Sequence, residues 1–280
     1  MTLRTLIQVD ELKRHLDDAS FVIFDCRHDL MQPDAGAQAY ERAHIPGARF
    51  AHSDTDLSGP KTGKTGRHPL PDPAVFTTWL GANGVDGSKQ VIAYDQAGGA
   101  SATRLWWMLR WLGHDAAAVL DGGWEGWVTA GAPTTAELPA TSATTFLGRP
   151  SATWVDADHV LSRLGQPDML VIDARSPERF RGDTEPIDPV AGHIPGAIDR
   201  FYRDNLGADG RFRPAEELRA AFTALLRGRA PEQVVHQCGS GVSACHNILA
   251  MEVAGLTGSR LYPGSWSEWC ADPSRPVARG

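Results

Sequence analysis

Cys238 is the residue in this chain best placed to do chemistry. A short β-branched run, Val234-Val235, leads into it, and a loop of small residues, Gly239-Ser240-Gly241-Val242-Ser243, follows. Beyond the loop, apolar residues recur at helical spacing (Ile248, Leu249, Val253, Leu256), which predicts a helix from Ala244 that stops at Gly258. A cysteine between a strand and a helix N-terminus faces the positive end of the helix dipole. The two glycines let successive backbone N–H groups turn inward. Such a nest favours an anionic, nucleophilic sulfur. A cysteine phosphatase would need an arginine six positions on to clamp phosphate. That position is Ala244.

The elements that position Cys238 occur twice. Phe21–Asp25 leads through a charged loop to Ala43-His44-Ile45-Pro46-Gly47-Ala48, and Leu170–Asp173 leads likewise to Gly192-His193-Ile194-Pro195-Gly196-Ala197. Val91–Asp95 matches Val234–Cys238, and Gly123-Trp124-Glu125-Gly126-Trp127 matches Ser265-Trp266-Ser267-Glu268-Trp269. The same landmarks in the same order indicate two copies of one domain, at a period too long for a solenoid.

In the first copy the patterns predict helices over Asp10–Asp17, Pro73–Gly81, Ser101–Leu112 and Trp124–Ala130, and strands over Phe21–Asp25, Val91–Asp95 and Ala117–Leu120. In the second they predict helices over Asp156–Leu164, Ala215–Leu226 and Ala244–Leu256, and strands over Leu170–Asp173, Val234–Gln237 and Arg260–Tyr262. Strands alternating with helices give, in each copy, an α/β domain with a mainly parallel sheet covered by helices on both faces. The Ala/Thr/Pro-rich stretch Gly131–Pro150 is the linker. The expected domains are 1–133 and 151–280, joined by 134–150. The polar, Gly/Pro-rich loop Ser53–Pro73 is long enough to be functional.

The first copy carries Asp95 at the cysteine position. A carboxylate has no nucleophilic sulfur, so that copy is expected to be catalytically silent. The His-Ile-Pro-Gly-Ala boxes persist in the silent copy and read as turn chemistry. Trp124, Trp127, Trp266 and Trp269 read as packing anchors, and Trp106, Trp107 and Trp111 as core or interface residues. Cys26 and Cys270 are expected to be inert. A redox role for Cys245 is a lesser alternative to a core position.

The loop Cys-Gly-Ser-Gly-Val-Ser-Ala, with the duplicated landmarks over nearly the whole chain, resembles the tandem-domain sulfurtransferases of the rhodanese superfamily, closest to the 3-mercaptopyruvate type. The resemblance implies two tandem rhodanese-like domains and transfer of a sulfane sulfur through a Cys238 persulfide to a thiol, such as that of thioredoxin, or to cyanide. The N–H groups of Gly239, Ser240, Gly241, Val242 and Ser243 would hold the terminal sulfur. Ser240, His68 and Asp54 match a proposed serine–histidine–aspartate relay. Arg179 matches the main arginine for the donor's carboxylate, with Arg175 and Arg181 as structural or rim residues. Thiosulfate-preferring members carry Arg-Lys after the cysteine, where this chain has the neutral Gly239-Ser240. In the other direction, mercaptopyruvate enzymes carry a second arginine in a segment that here reads Glu185-Pro186-Ile187-Asp188-Pro189-Val190. Thiosulfate therefore stays open as the donor. A non-catalytic persulfide carrier or redox-sensing module is the alternative of another class.

The totals suit that reading. With 27 Lys+Arg against 34 Asp+Glu the net charge is -7, which argues against nucleic acid or an anionic membrane as partner. A small anionic donor would then need local positive charge. No stretch reaches membrane-spanning length and the N-terminus has no apolar signal region. Four cysteines without a Cys-x-x-Cys pair suit a reducing cytoplasm rather than a disulfide scaffold or a zinc site. No metal or organic cofactor is implied.

Overall fold

The computed structural model describes residues 2–96 and 98–280; Ala97, in the first copy's loop, lies outside the described residues. The chain forms two compact units. The first comprises Met1–Gly59, Leu70–Ser151 and Ala208–Phe212, and the second Pro60–Pro69, Ala152–Gly207 and Arg213–Gly280.

The first unit holds β1 (Leu6–Ile7), α1 (Val9–Lys13), β2 (Phe21–Asp25), α2 (Ala35–Arg42), β3 (Arg49–Phe50), α3 (Pro73–Ala82), β4 (Gln90–Tyr94), α4 (Ala102–Trp111), β5 (Ala117–Leu120) and α5 (Gly123–Thr129). Its strands pair in parallel in the order β1-β5-β4-β2-β3. The second unit holds α6 (Ala157–Ser162), β6 (Leu170–Asp173), α7 (Pro177–Arg181), β7 (Ile198–Asp199), α8 (Ala215–Leu226), β8 (Val234–Gln237), α9 (Ala244–Val253), β9 (Arg260–Leu261) and α10 (Ser265–Trp269). Its sheet is parallel in the order β7-β6-β8-β9. Every residue of β4, β6 and β8 is buried, as strands covered on both faces must be.

Each duplicated landmark has a structural reason. Arg27 pairs with Asp25 at 2.6 Å and Arg175 with Asp173 at 2.7 Å. Each guanidinium also lies over a tryptophan, Trp124 at 4.5 Å and Trp266 at 4.8 Å. Each further donates to the carbonyl that precedes a His-Ile-Pro-Gly-Ala box, Ala43 or Gly192, at 2.7 Å. The box histidines are held alike, Nδ1 of His44 on the Tyr40 carbonyl at 2.7 Å and Nδ1 of His193 on the Phe180 carbonyl at 2.8 Å. Trp127 and Trp269 each donate an indole N–H to a proline carbonyl at 2.8 Å. The boxes and these tryptophans are packing devices, as their presence in both copies suggested.

Several element ends differ from the sequence expectation. The helix expected over Asp10–Asp17 closes at Lys13. Beyond it the chain makes three-residue turns, His15 N–H to Leu12 and Asp18 N–H to His15. The helix expected to run to Leu256 and stop at Gly258 ends at Val253. Gly255 takes φ +71°, and the Leu256 N–H closes back on the Met251 carbonyl at 2.8 Å. Leu256 thus belongs to a Schellman cap, whose apolar contact mimics helical periodicity. α2, α7 and α10 have no counterpart in the sequence expectation; α7 and α10 are only five residues long, too short for a periodic signal.

Candidate active site

β8 ends one residue before Cys238, which is 2% exposed. The Cys238 N–H donates to Ser265 Oγ at 3.1 Å, and that hydroxyl donates to the Tyr262 carbonyl at 2.9 Å. The Cys238 and Gly239 carbonyls accept the N–H groups of Trp266 and Ser267 at 3.0 and 2.9 Å. The start of the loop is therefore clamped to the first turn of α10. Gly241 then turns the chain with φ +78°, and a Cβ there would strike the Pro263 backbone, so only glycine fits. That turn aims the Gly241 N–H at Cys238 Sγ, 3.2 Å away. Among the described residues, the N–H groups of Gly239, Ser240, Val242 and Ser243 find no acceptor in the protein. Cys245 lies on α9, fully buried, with its thiol directed at the Gly241 carbonyl at 3.4 Å.

The segment Pro60–Pro69 belongs to this unit although it lies far away in sequence. Gly66 rests against Gly264 and Ser267, where a Cβ would crowd Ser267 Oγ at 3.0 Å. The Arg67 N–H donates to that same hydroxyl at 3.0 Å. The segment so pinned brings His68 Nδ1 to 2.7 Å from Ser240 Oγ, with both residues buried. The direction of that hydrogen bond follows the histidine tautomer. Asp54 belongs to the first unit, where its N–H donates to His52 Nδ1 at 3.1 Å.

Arg179 sits on α7, which starts at Pro177 and closes at the left-handed Gly182. It continues a chain of alternating charges. Arg175 reaches from Asp173 to Glu185 (3.3 Å), and Arg179 reaches from Glu185 (2.8 Å) to Asp188 (3.2 Å). Asp188 then pairs with Arg67. Burial raises the Glu185 carboxyl, but the Arg179 hydrogen bond and the N–H groups of Asp188 and Ile187 outweigh it and hold it below its ordinary value. Burial and the neighbouring Glu185 push Asp188 up, against the pull of Arg67 and Arg179. Arg175 is a structural residue, fully engaged and buried, and Arg181 is an exposed partner of Asp183, as expected for both.

The second unit thus brings Cys238, Ser240, His68 and Arg179 together with the loop residues Gly239, Gly241, Val242 and Ser243. Sequence reasoning missed Arg67, Asp188 and Ser265. The repeat did carry a trace of Ser265, since it aligns with Gly123. The two share a left-handed backbone, φ +54° and +57°, and only the copy with the cysteine puts a hydroxyl there.

In the first copy, Asp95 takes the cysteine's place. Its Oδ1 accepts the Gly99 N–H at 3.0 Å, and its Oδ2 accepts those of Ser101 and Ala102 at 2.7 and 3.0 Å. Burial pushes its carboxyl up to about 6 in spite of these donors. The carboxylate occupies its own anion cradle.

Comparisons with known proteins place the chain in a family. A protein of Pseudomonas aeruginosa named "Probable 3-mercaptopyruvate sulfurtransferase" is 48% identical over 283 residues, covering 100% of both chains. The thiosulfate sulfurtransferase of Gallus gallus is 32% identical over 237 residues, 83% of this chain and 80% of that one. Among solved structures, the 3-mercaptopyruvate sulfurtransferase from Leishmania major superposes with a TM-score of 0.84 at 35% identity, covering 95% of this chain and 74% of that one. The Rhodanese-like domain matches twice, over residues 8–130 and 156–272. One match spans the aspartate copy and the other the cysteine copy, and on this evidence the chain belongs to the rhodanese family.

Proposed function

We propose that the chain is a 3-mercaptopyruvate sulfurtransferase whose sulfur carrier is Cys238. The observation that carries the reading is Cys238 Sγ facing the Gly241 N–H, on a neutral loop whose Ser240 is hydrogen-bonded to His68. The Cys238 thiolate attacks the donor's sulfur. The carbon–sulfur bond breaks, and its electron pair passes to carbon as the enolate of pyruvate. The proton from the donor's S–H ends on that carbon, leaving pyruvate and a Cys238 persulfide anion. A thiolate, or cyanide, then attacks the outer sulfur and regenerates Cys238.

In this reading the free N–H groups of the loop hold the outer sulfur's negative charge, as the first copy's loop holds the Asp95 carboxylate. Ser240 polarises the donor's carbonyl and shares a proton with His68, and Asp54 completes the relay. Arg179 holds the donor's carboxylate. In chain order, residues 1–133 form the silent domain, 134–150 the linker and 151–280 the domain bearing Cys238, with Pro60–Pro69 grouped with the latter. Thioredoxin is the proposed thiol acceptor. All four cysteines are free, which supports a reducing, cytoplasmic setting; among the described residues, no helix is long and apolar enough to cross a membrane.

The test is steady-state turnover with 3-mercaptopyruvate and with thiosulfate, cyanide as acceptor, alongside Cys238→Ser. The expected result is a much larger kcat/KM for mercaptopyruvate and none in the variant. A preference for thiosulfate would move the chain to the other donor. Absence of one added sulfur on Cys238 by mass spectrometry after exposure to either donor would sink both enzymatic readings. Persulfide formation with negligible turnover would leave a carrier module.

A further inference from the structure

We infer that Arg67 is a donor-binding residue: its guanidinium and that of Arg179 jointly hold the carboxylate of the sulfur donor. The inference rests on the sulfurtransferase reading and adds a residue to it.

The position directly after Cys238 is where the two cations converge. A Cβ built on Gly239 would lie 2.7 Å from Arg67 Nη2 and 3.6 Å from both Nη1 and Nη2 of Arg179. The absence of a side chain at 239 is thus what leaves room for the Arg67 guanidinium. Asp188 fixes both arginines, taking Arg67 on Oδ1 and Arg179 on Oδ2. Hydrogen-bonding capacity is left over on the side facing Gly239. Among the described residues, Nη2 of Arg67 and Nη1 of Arg179 donate to no protein group, and Nε of Arg67 is buried with no partner. A planar carboxylate matches two such forks, accepting from one guanidinium or bridging both.

The segment Glu185–Val190 has no arginine, yet the site does not lack a second positive charge. Asp188 in that segment recruits one from the distant loop 60–69. Arg67 sits partly open, with a side chain 22% exposed against 4% for Asp188, so a small anion can reach it without dismantling the pair.

The experiment compares two donors, 3-mercaptopyruvate and 1-mercapto-2-propanone, which keeps the thiol and ketone but lacks the carboxylate. Wild type, Arg67→Ala, Arg67→Met and Arg67→Lys are assayed for KM and kcat, with thermal unfolding and mass of the Cys238 persulfide as controls. Arg67→Ala and Arg67→Met should raise KM for mercaptopyruvate by about tenfold or more, the cost of a lost charge-assisted contact. The loss with the uncharged donor should be several-fold smaller than with mercaptopyruvate, and Arg67→Lys should recover part of the mercaptopyruvate loss. An unchanged KM for mercaptopyruvate, or equal impairment with both donors, would overturn the inference while leaving the sulfurtransferase reading intact. Absence of a persulfide in the wild type would overturn both.

Discussion

Ser240 Oγ and His68 Nδ1 lie 2.7 Å apart although 172 positions separate them in the chain. The hydroxyl is two residues from Cys238, and the imidazole arrives on a segment that sequence order assigns to the other half of the molecule. Both are buried, so the pair is sheltered from water and oriented before any donor binds. Positioned proton-transfer groups contribute roughly 10²–10⁴-fold. Ser240→Ala and His68→Phe should each lower kcat/KM for mercaptopyruvate by about 10²-fold, and the double variant should lose little more than either single one. Steady-state kinetics checks this, with alkylation of Cys238 confirming that the thiol is still reactive. Fully additive losses would mean that the two residues act separately.

Ser265 holds a left-handed backbone that a non-glycine residue adopts only at a cost of order 1–3 kcal/mol. Its hydroxyl accepts the Cys238 N–H. Ser265→Gly should relieve the strain and remove the acceptor together. The expected outcome is unfolding stability equal to or above wild type by denaturant titration, with kcat/KM reduced several-fold. A variant as active as wild type would show that the hydroxyl does not support the loop's geometry.

Gly241 pairs φ +78° with a backbone neighbour, Pro263, that leaves no room for a methyl group. Gly241→Ala should destabilise the second unit by about 1–3 kcal/mol and rotate away the N–H bonded to Cys238 Sγ. Calorimetry should show a lower Tm, and single-turnover experiments slower persulfide formation.

His236, fully buried on β8, has its imidazole pushed down to about 3 by burial. Its Nε2 lies 3.2 Å from the Met251 sulfur, a weak acceptor. Above its unfolded value of 6.5 the ring is neutral in both states and contributes no pH dependence. As the pH falls below that value the unfolded chain takes up a proton that the folded chain refuses. Stability is then lost at about 1.4 kcal/mol per pH unit. Asp95 in the first unit has the opposite sign, because its carboxyl is raised to about 6. Its contribution is fully present below the unfolded value of 3.8 and is lost as pH rises through about 6. The comparison is therefore between wild type and His236→Leu, by urea unfolding from about pH 7 to about pH 5. The variant's acid slope should be shallower by about one proton.

Amino-acid order alone determined the features that depend on neighbours in the chain. Periodicity and turn residues placed the main strands and helices, and the recurring strand runs, His-Ile-Pro-Gly-Ala boxes and tryptophan landmarks exposed the duplication. Cys238 stood out because strand, glycine loop and helix N-terminus follow one another without a break. Element ends slipped where a local signal was ambiguous, as when Leu256 imitated one more helical turn while serving as a cap. Tertiary structure decided what rests on contacts without sequence proximity. Only the fold puts Pro60–Pro69 in the second unit, and so brings His68 to Ser240 and Arg67 to Asp188. Only the fold shows that an acid at 188 brings an arginine rather than replacing one. Those pairings are charge-assisted or buried hydrogen bonds, whose energy depends on distance and burial in space. The sequence carries no period that reports either.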